Sequence, residues 1–599
     1  MPGGGAVGGV APGVKQVQAD EAPIPFVLLN QVGYLPDRSK TAVVRSDLKQ
    51  AVPFIVRNAS GKTVFSGQTT PLGRDAASGQ TVHRADFSQL KDEGSGFVLE
   101  ANLGKPESSH PFDVRSDVYK QLKYDALSFF YQQRSGVPIV MPFVTQEQWT
   151  RPAAHQGDDS VPCLPGSGCD YELDVSGGWY DAGDHGKYVV NGGIAVWLLQ
   201  AFWERLTLLG TSSAAFADAA VNIPERGNGF PDLLDEARIE LEFLMKMQVP
   251  KTEPLAGMVH HKMHDRAWTA LGLLPHLDKQ PRFLHKPSTA ATLNLAAVAA
   301  QASRLWKTLD PKFSGRCLRA AKRAFAAAEA HPAMFAPSQG VGGGPYDDVA
   351  VADERYWAAA ELFITTGGDE YLQVIKASPF FAGVRAAADL ASPEGTIASA
   401  FSWQATAALG SMSLAMAKST LPQDQVLALR ASVAKTADAY LSVMSEQAYQ
   451  STLRPGAAGY WWGSNSDVMD NLIVVSLAYD FTKDARYADA VANGFGYLLG
   501  RNPMDKSYVS GYGERPLRNP HHRFWARQLS NRYPEVPPGV VSGGPNSGLQ
   551  DPVSRKAGLR GCAPQACYVD HIDAYSLNEV AINWNAPLVW LAGFLDEVR

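Results

Sequence analysis

Before residue 117, apolar and polar side chains alternate with a period of two in short runs at 26–29, 41–45, 53–57, 63–66, 81–87, 96–100 and 112–114. Alternation of this kind turns one face of a pleated strand toward a core and the other toward water, so each run is expected as a strand. Turn-forming residues separate the runs, and Asn58-Ala59-Ser60-Gly61 reads as a hairpin turn. The pattern predicts a small all-β sandwich over residues 25–116. After residue 117 apolar residues recur every three or four positions, which predicts helices over 120–133, 193–208, 231–247, 289–305, 317–331, 352–366, 402–418, 424–444, 469–482, 485–499 and 577–595. Residues 117–599 are therefore expected to be mainly α, with long loops that carry most of the Trp, Gly, Asp and His residues. A helical scaffold that presents a site from its loops has this distribution. No fixed short repeat is visible, so a stacked solenoid is not expected.

Composition adds that the chain is large and not aimed at a polyanion. Its 599 residues, 45% hydrophobic and 19% charged, hold core material for more than one domain. The formal charge of -6 comes from 54 basic and 60 acidic residues without a basic block, which argues against nucleic acid and anionic membrane surfaces as partners. No apolar run reaches the roughly 18 residues of a spanning helix. Residues 1–24 are Gly/Ala-rich, lack the apolar core of a signal peptide, and read as a disordered N-terminal segment. Cys163 with Cys169, and Cys562 with Cys567, are spaced to close short disulfide loops, reduced neighbours being the alternative. Cys317 reads as a buried thiol. Disulfides imply a secreted or periplasmic protein whose signal has been removed.

Chemistry concentrates in two stretches. In Gly177 to Tyr188, Asp181 and Asp184 are three apart among glycines and aromatics. A helical turn would set the two carboxylates side by side, one orienting a water while the other takes its proton. Trp179, Tyr180 and Tyr188 offer flat faces of the kind that stack on sugars. A solvated acidic turn or a calcium loop is the competing reading of Asp-x-x-Asp. The second stretch holds Tyr568, Asp570, Tyr575, Glu579, Ala581 and Asn585, with Glu579 as the candidate acid.

Together these stretches resemble glycoside hydrolase family 9, the inverting cellulases, in the form with an N-terminal immunoglobulin-like domain. Leu28 to Pro36 resembles the opening strand of that domain, and Phe129 to Arg134 the first catalytic helix. Ser507, Val509, Ser510, Gly513, Arg515, Pro520, His521 and Arg523 resemble a further signature, and with the two stretches above they span the chain in the family's order. The resemblance implies an (α/α)6 barrel with an open cleft across one end. It also implies that Asp184 is the general base, that Asp181 helps hold the attacking water and that Glu579 protonates the leaving oxygen. An apolar shelf of Tyr575, Ala581, Trp584 and Trp590 would favour the protonated acid.

His521 and Arg523 are expected to donate to sugar hydroxyls, and Trp462, in Tyr460-Trp461-Trp462, to form a sugar platform. Tyr180, Tyr575, His261, Trp357 and Trp403 are further substrate-binding candidates. His260, His261 and His264 have spacings of a metal site, but no matching carboxylate motif follows and a zinc hydrolase is not expected. Asp348, Asp353 and Glu354 resemble a family calcium loop, and Glu225, Asn228 and Asp232 form a second calcium candidate whose alternative is a helix N-terminus. Some relatives carry a structural zinc on two cysteines and a histidine. Ser135 and Ala154-His155 stand at those places, so that zinc is expected to be lost. The expected function is a secreted, monomeric, inverting endo-β-1,4-glucanase acting on cellulose and soluble β-glucans, with structural calcium. The alternatives are an exo-acting cellodextrinase, β-glucosidase or exo-glucosaminidase on the same scaffold, or a non-catalytic glucan-binding protein.

Overall fold

The structure is a computed structural model that describes residues 23–210, 213–338, 342–382 and 399–598. The expected disordered segment 1–24 lies outside them except for its last two residues. The strands are β1 (Val27–Leu28), β2 (Gly33–Tyr34), β3 (Thr41–Arg45), β4 (Pro53–Arg57), β5 (Thr63–Gln68), β6 (Thr70–Arg74), β7 (Thr81–Asp86), β8 (Gly94–Asn102), β9 (Pro106–Ser108) and β10 (Phe112–Val114). They form two sheets, ordered β1-β3-β7-β6 and β2-β10-β8-β4-β5, with β9 on β8. Only β10 against β2 is parallel among these pairs. Val27, Leu29, Ala42, Val44, Phe54, Val56, Phe97, Leu99 and Phe112 fill the space between the sheets. Leu28, Val43 and Val82 point the other way, into the core of the helical domain. Strands β1 and β3 of the first sheet are thus buried on both faces, which is why they read as apolar runs and not as clean alternations.

The helices are α1 (Lys120–Gln133), α2 (Val189–Leu209), α3 (Asp232–Lys246), α4 (Thr289–Leu305), α5 (Pro311–Ala330), α6 (Ala352–Thr366), α7 (Asp369–Ala377), α8 (Ala407–Met416), α9 (Gln423–Glu446), α10 (Ser464–Thr482), α11 (Ala485–Leu498), α12 (Pro552–Lys556), α13 (Tyr575–Asn578) and α14 (Ile582–Glu597). Helices α2, α4, α6, α8, α10 and α14 are buried almost all round, as inner helices must be. Helix α2 packs on α4, α4 on α6, α6 on α8, α10 on α14, and α14 back on α2. Outside them, α1 lies on α14, α3 on α2, α5 on α4, α7 on α6, α9 against α8 and α10, and α11 on α10. This is the alternating inner and outer ring of an (α/α)6 barrel. Among the described residues, no helix is long and apolar enough to cross a membrane.

The sandwich is bolted to the barrel through Gln31. Its amide nitrogen donates to the backbone oxygen and Oδ1 of Asp505, both at 2.9 Å, and its amide oxygen accepts from the Glu514 and Arg515 N–H groups, both at 3.0 Å. Its own N–H reaches Leu499 O at 2.9 Å. Gln31→Ala removes the amide donor from the buried Asp505 backbone oxygen and Oδ1, each costing about 1–3 kcal/mol. A lower thermal midpoint is the expected result, and an unchanged one would show that the sandwich merely abuts the barrel.

Candidate active site

The loops that carry the candidate residues each run into the N-terminus of an inner helix: 181–188 into α2, 260–288 into α4, 346–351 into α6, 402–406 into α8, 460–463 into α10 and 579–581 into α14. The positive ends of several helix dipoles therefore meet at one end of the barrel, a favourable setting for a cluster of carboxylates.

The Asp181–Asp184 stretch is an irregular turn and not the helical turn expected. Neighbouring backbone holds it: Tyr180 N–H donates to Gln133 O (2.8 Å), Asp181 N–H to Gly186 O (2.9 Å) and Arg523 N–H to Gly183 O (2.9 Å). The Gln133 amide donates to Ala182 O at 2.7 Å. Asp181 is buried, and its two oxygens accept from the Asn191 amide (2.8 Å) and the Tyr346 hydroxyl (3.0 Å). Burial, reinforced by the charge of Asp184, pushes its carboxyl up to about 7 against those two hydrogen bonds. Asp184 is held through Oδ2 by Gly186 N–H (3.2 Å) and the Tyr188 hydroxyl (3.3 Å).

Glu579 sits where the expected helix 577–595 breaks. Helix α13 ends at Asn578, Glu579 and Ala581 are extended, and α14 starts at Ile582. Two long-range bonds replace the helical ones: Gly543 N–H donates to Glu579 O, and Ile582 N–H donates to Asp181 O, both at 2.9 Å. The second ties the α14 entry directly to the aspartate turn, so candidate acid and candidate base are fixed to each other through backbone. Glu579 is half-buried, and Trp462 Nε1–H donates to its Oε2 at 3.0 Å. Burial first, then the charges of Asp184 and Asp181, push its carboxyl up to about 8, against the opposing effects of Arg523 and Trp462. Trp590, expected near the acid, instead donates to Ser476 inside the barrel.

The other C-terminal signature residues build the platform under Glu579. Asp570 accepts from Asn519 N–H (2.8 Å), Asn578 (3.0 Å), Arg518 N–H (2.9 Å) and Lys506 Nζ (2.6 Å). Tyr568 donates to Asn578, and Asn585 bonds Ala126 O, Gly539 O and Val541 N–H.

Trp462 is 37% exposed and lies 5.7 Å from the Tyr575 ring, so these two form an aromatic shelf beside Glu579. His521 stands 5.7 Å from Tyr575. Its Nδ1 bonds Ile572 O at 2.6 Å and its Nε2 accepts from Arg523 at 3.2 Å, so it orients Arg523 instead of presenting a free nitrogen to a sugar. Trp403 packs edge-on to Tyr346 at 5.1 Å, next to Asp181. His261 is buried, with Nδ1 on Ser288 Oγ at 2.8 Å and an unpartnered Nε2.

Three expectations need correction. Tyr180 is buried behind the aspartate turn with its hydroxyl on His155, so it cannot stack on a ligand in the cleft. Trp357 is fully buried within α6 and belongs to the core. In the second calcium candidate, Glu225 is clamped by Arg134 through two 2.9 Å bonds, Asn228 donates to Asp235, and Asp232 accepts from Ala219 and Val221 N–H groups. Those oxygens brace the entry to α3, which is the helix-terminus alternative. The three histidines His260, His261 and His264 turn to separate partners, Tyr171 and His285, Ser288, and Asp265.

The first calcium candidate differs in kind. Asp348 Oδ2 and both oxygens of Glu354 are buried without a hydrogen-bond donor, and Asp353 accepts from Thr406 N–H at 2.7 Å. Burial and the facing carboxyls of Asp353 and Asp348 push the Glu354 carboxyl well above its ordinary range. Orphaned hard oxygens that repel one another suit a divalent cation.

Tyr346 and the exposed Trp268 escaped the reading of the sequence. Tyr346 follows a Gly-Gly-Gly-Pro run and has a left-handed backbone, φ 48°. A glycine run that ends in an aromatic was the available signal. Trp268 is 55% exposed with the Arg523 guanidinium 6.0 Å from its ring centre. Both expected disulfides are formed, with Cα separations of 5.8 Å for Cys163–Cys169 and 5.4 Å for Cys562–Cys567, and Cys317 is a buried free thiol.

Known proteins share this arrangement. The chain matches glycosyl hydrolase family 9 over residues 119–592 and the cellulase N-terminal ig-like domain over residues 23–105. It is 47% identical to a cellulose 1,4-beta-cellobiosidase of Acetivibrio thermocellus across 96% of this chain and 68% of that protein. It is 46% identical to endoglucanase C of Cellulomonas fimi across 96% of this chain and 52% of that one, so it spans about half of the latter's length. A solved family 9 structure from Bacteroides ovatus superposes with a TM-score of 0.81 at 31% identity, covering 96% of this chain and 99% of that one. With its barrel, its leading sandwich and these matches, the chain belongs to glycosyl hydrolase family 9 and is a glycoside hydrolase of the cellulase type.

Proposed function

We propose that this protein is an inverting endo-β-1,4-glucanase acting on cellulose and soluble β-glucans. The observation that carries the reading is the contrast between Glu579, set beside Trp462 with its carboxyl pushed up to about 8, and Asp184, whose Oδ2 is anchored while no described residue bonds its Oδ1. A protonated acid and an anchored base supplied by distant chain segments suit an inverting hydrolysis, where water is taken up on one face of the sugar and the leaving oxygen is protonated on the other. Asp184 Oδ1 accepts the proton of the attacking water, Asp181 with Tyr346 and Asn191 fixes that water's site, and Glu579 delivers its proton to the glycosidic oxygen. Trp462 and Tyr575 form the apolar shelf beside the leaving group. The two disulfides support an oxidising, extracellular or periplasmic setting.

An exo-acting reading has one specific observation in its favour. The Cys163–Cys169 loop contributes Leu164 to Ser167 to the wall of a cavity of about 120 Å³, shared with His261, Lys262 and Lys286. Lys262 also holds the backbone oxygens of Gly344 and Pro345, next to Tyr346. Viscosity and product length separate the two readings. A fast viscosity loss on carboxymethylcellulose with mixed products from cellopentaose is expected, whereas one product length released without viscosity loss would favour exo action.

Asp348, Asp353 and Glu354 would hold calcium, whose role is to neutralise the buried carboxyls at the entry to α6. Removal of calcium by chelation lowers the thermal midpoint and calcium restores it, stabilisation reaching about 2.7 kcal/mol at a hundredfold excess over Kd. Glu354→Gln abolishes the calcium response, and a response unchanged in that variant would contradict the assignment. Trp462→Phe removes the N–H that favours ionised Glu579. The alkaline limb of activity therefore moves to higher pH in this variant, as a pH series on a soluble cellodextrin would show, and a downward move would contradict the contact.

A further inference from the structure

The zinc implied by the family resemblance does not suit the residues present. Where thiolates are needed the chain has Ser135, whose Oγ is buried without a partner, and Ala154, which offers no donor. The remaining groups, His155, His185 and Asp278, lie within 4.8 Å of one another. Asp278 Oδ2 is 2.6 Å from His185 Nδ1, a hydrogen-bond distance, and 3.6 Å from His155 Nε2. Two ligands of a tetrahedral zinc with bonds near 2.0–2.1 Å sit roughly 3.3 Å apart, so the Asp278–His185 pair is too close to share one.

We propose that Asp278 takes the place of the metal: its carboxylate accepts from the His185 imidazole, with the His155 ring alongside at 3.6 Å, and thereby positions the turn that carries Asp181 and Asp184. His185 directly follows Asp184, and Tyr180 directly precedes Asp181, so these two side chains bracket the turn. The Tyr180 hydroxyl bonds His155 Nδ1, which directs His155 Nε2 toward Asp278. The three rings of Tyr180, His155 and His185 pack at centroid distances of 5.1–5.4 Å. Asp278 is itself fixed, accepting Gln280 N–H at 2.9 Å on its other oxygen. Arg282 completes the brace by donating to His185 O at 2.8 Å while paired with Asp158 and Asp265. Burial opposes charge on Asp278, but the two neighbouring imidazoles and the Gln280 N–H outweigh it and hold the carboxyl well below its usual range. Burial likewise lowers both imidazoles from their ordinary range, His155 to about 4. Asp278 touches no substrate. It is a positioning residue, and its role rests on the reading of Asp181 and Asp184 given above.

The test compares kcat and KM on cellopentaose for the full-length wild type, Asp278→Ala, Asp278→Asn and Asp184→Asn, with circular dichroism to verify folding. A displacement of the turn by an ångström costs about a hundredfold in rate, so Asp278→Ala is expected to lose about that much in kcat with KM little changed. Asp278→Asn keeps the volume and an acceptor oxygen and is expected to lose about tenfold. It decides the matter if the alanine variant does not fold. Wild-type kcat in either folded variant overturns the proposal, provided that Asp184→Asn is inactive. Activity retained in Asp184→Asn would instead overturn the underlying assignment of the base. A cavity of about 440 Å³ lined by His155, Asp278 and Arg282 adjoins the cluster, so zinc in solution has access. Protein grown with added zinc is expected to carry far less than one zinc per chain. One tightly held equivalent whose removal by a zinc-selective chelator lowers kcat would overturn the proposal.

Discussion

Glu579→Gln is expected to lose about 10²- to 10⁴-fold in kcat on unactivated cellodextrins, the usual contribution of a positioned acid. Glutamine keeps the shape and can still accept from Trp462 Nε1, so the loss isolates the proton and not the packing. Substrates with acidic leaving groups need less protonation and should lose less. The pH dependence follows from the same group. A general acid works only while protonated, and burial with the nearby Asp184 and Asp181 charges puts its carboxyl at about 8. Glu579 is therefore competent on the acid side of that value, and activity falls on the alkaline side as pH rises through it, about tenfold per unit once the group is mostly ionised. A pH series of kcat/KM on cellopentaose measures this limb. A limb that began near pH 5 would mean that Glu579 is ionised in its ordinary range and that another group supplies the proton.

Gly183→Ala is expected to be the most damaging substitution that removes no functional group. A Cβ there would lie 1.9 Å from His521 O, 2.8 Å from His521 C and 2.9 Å from His522 Cα. All three are backbone atoms, so no flexible side chain can yield. Both strands of this crossing are pinned, since Arg523 N–H donates to Gly183 O and His521 N–H to Asn578 O. Relief must move either the aspartate turn or the 521–523 segment, and a shift of an ångström at the reacting groups costs about a hundredfold in kcat. Overpacking adds about 1–3 kcal/mol of instability. Gly157→Ala is the control, because a Cβ at that position meets nothing within 4 Å. If Gly183→Ala retained wild-type kcat and thermal midpoint, the tight crossing of these two segments would be wrong.

Local pattern made much of the architecture legible. Helices α1, α4 and α6 run over the residues their periodicity predicts, and β3, β4 and β10 fall where alternation or apolar runs predict strands. Elements without a strong period were missed: β6 is exposed along its whole length, and α7 covers only nine residues. Periodicity alone starts α5 at Cys317, later than the observed Pro311, although Asp310-Pro311 is a start signal, with Asp310 accepting Phe313 N–H at 2.9 Å. The break at Glu579 could not be read, because apolar residues continue through it and the cause is distant: Gly543 and Asp181 capture backbone groups that would otherwise stay in one helix. The same distinction separates the site residues. Asp181, Asp184 and Glu579 stood out through motif, whereas Tyr346 and Asp278 reach the aspartate turn from loops far along the chain, and nothing local announces that reach. Tyr180 and Trp357 misled because an aromatic near a motif reads alike whether it faces the cleft or backs it.

The central claim, that water activated by Asp184 attacks the face of the sugar opposite the one protonated by Glu579, is tested most directly by the anomeric form of the first product. Proton NMR during the first minutes of cellopentaose hydrolysis, before mutarotation, resolves the new reducing end. The account predicts the α-anomer from the β-linked substrate. Initial release of the β-anomer would contradict it, because retention requires one of these carboxylates to act as a nucleophile that carries the sugar.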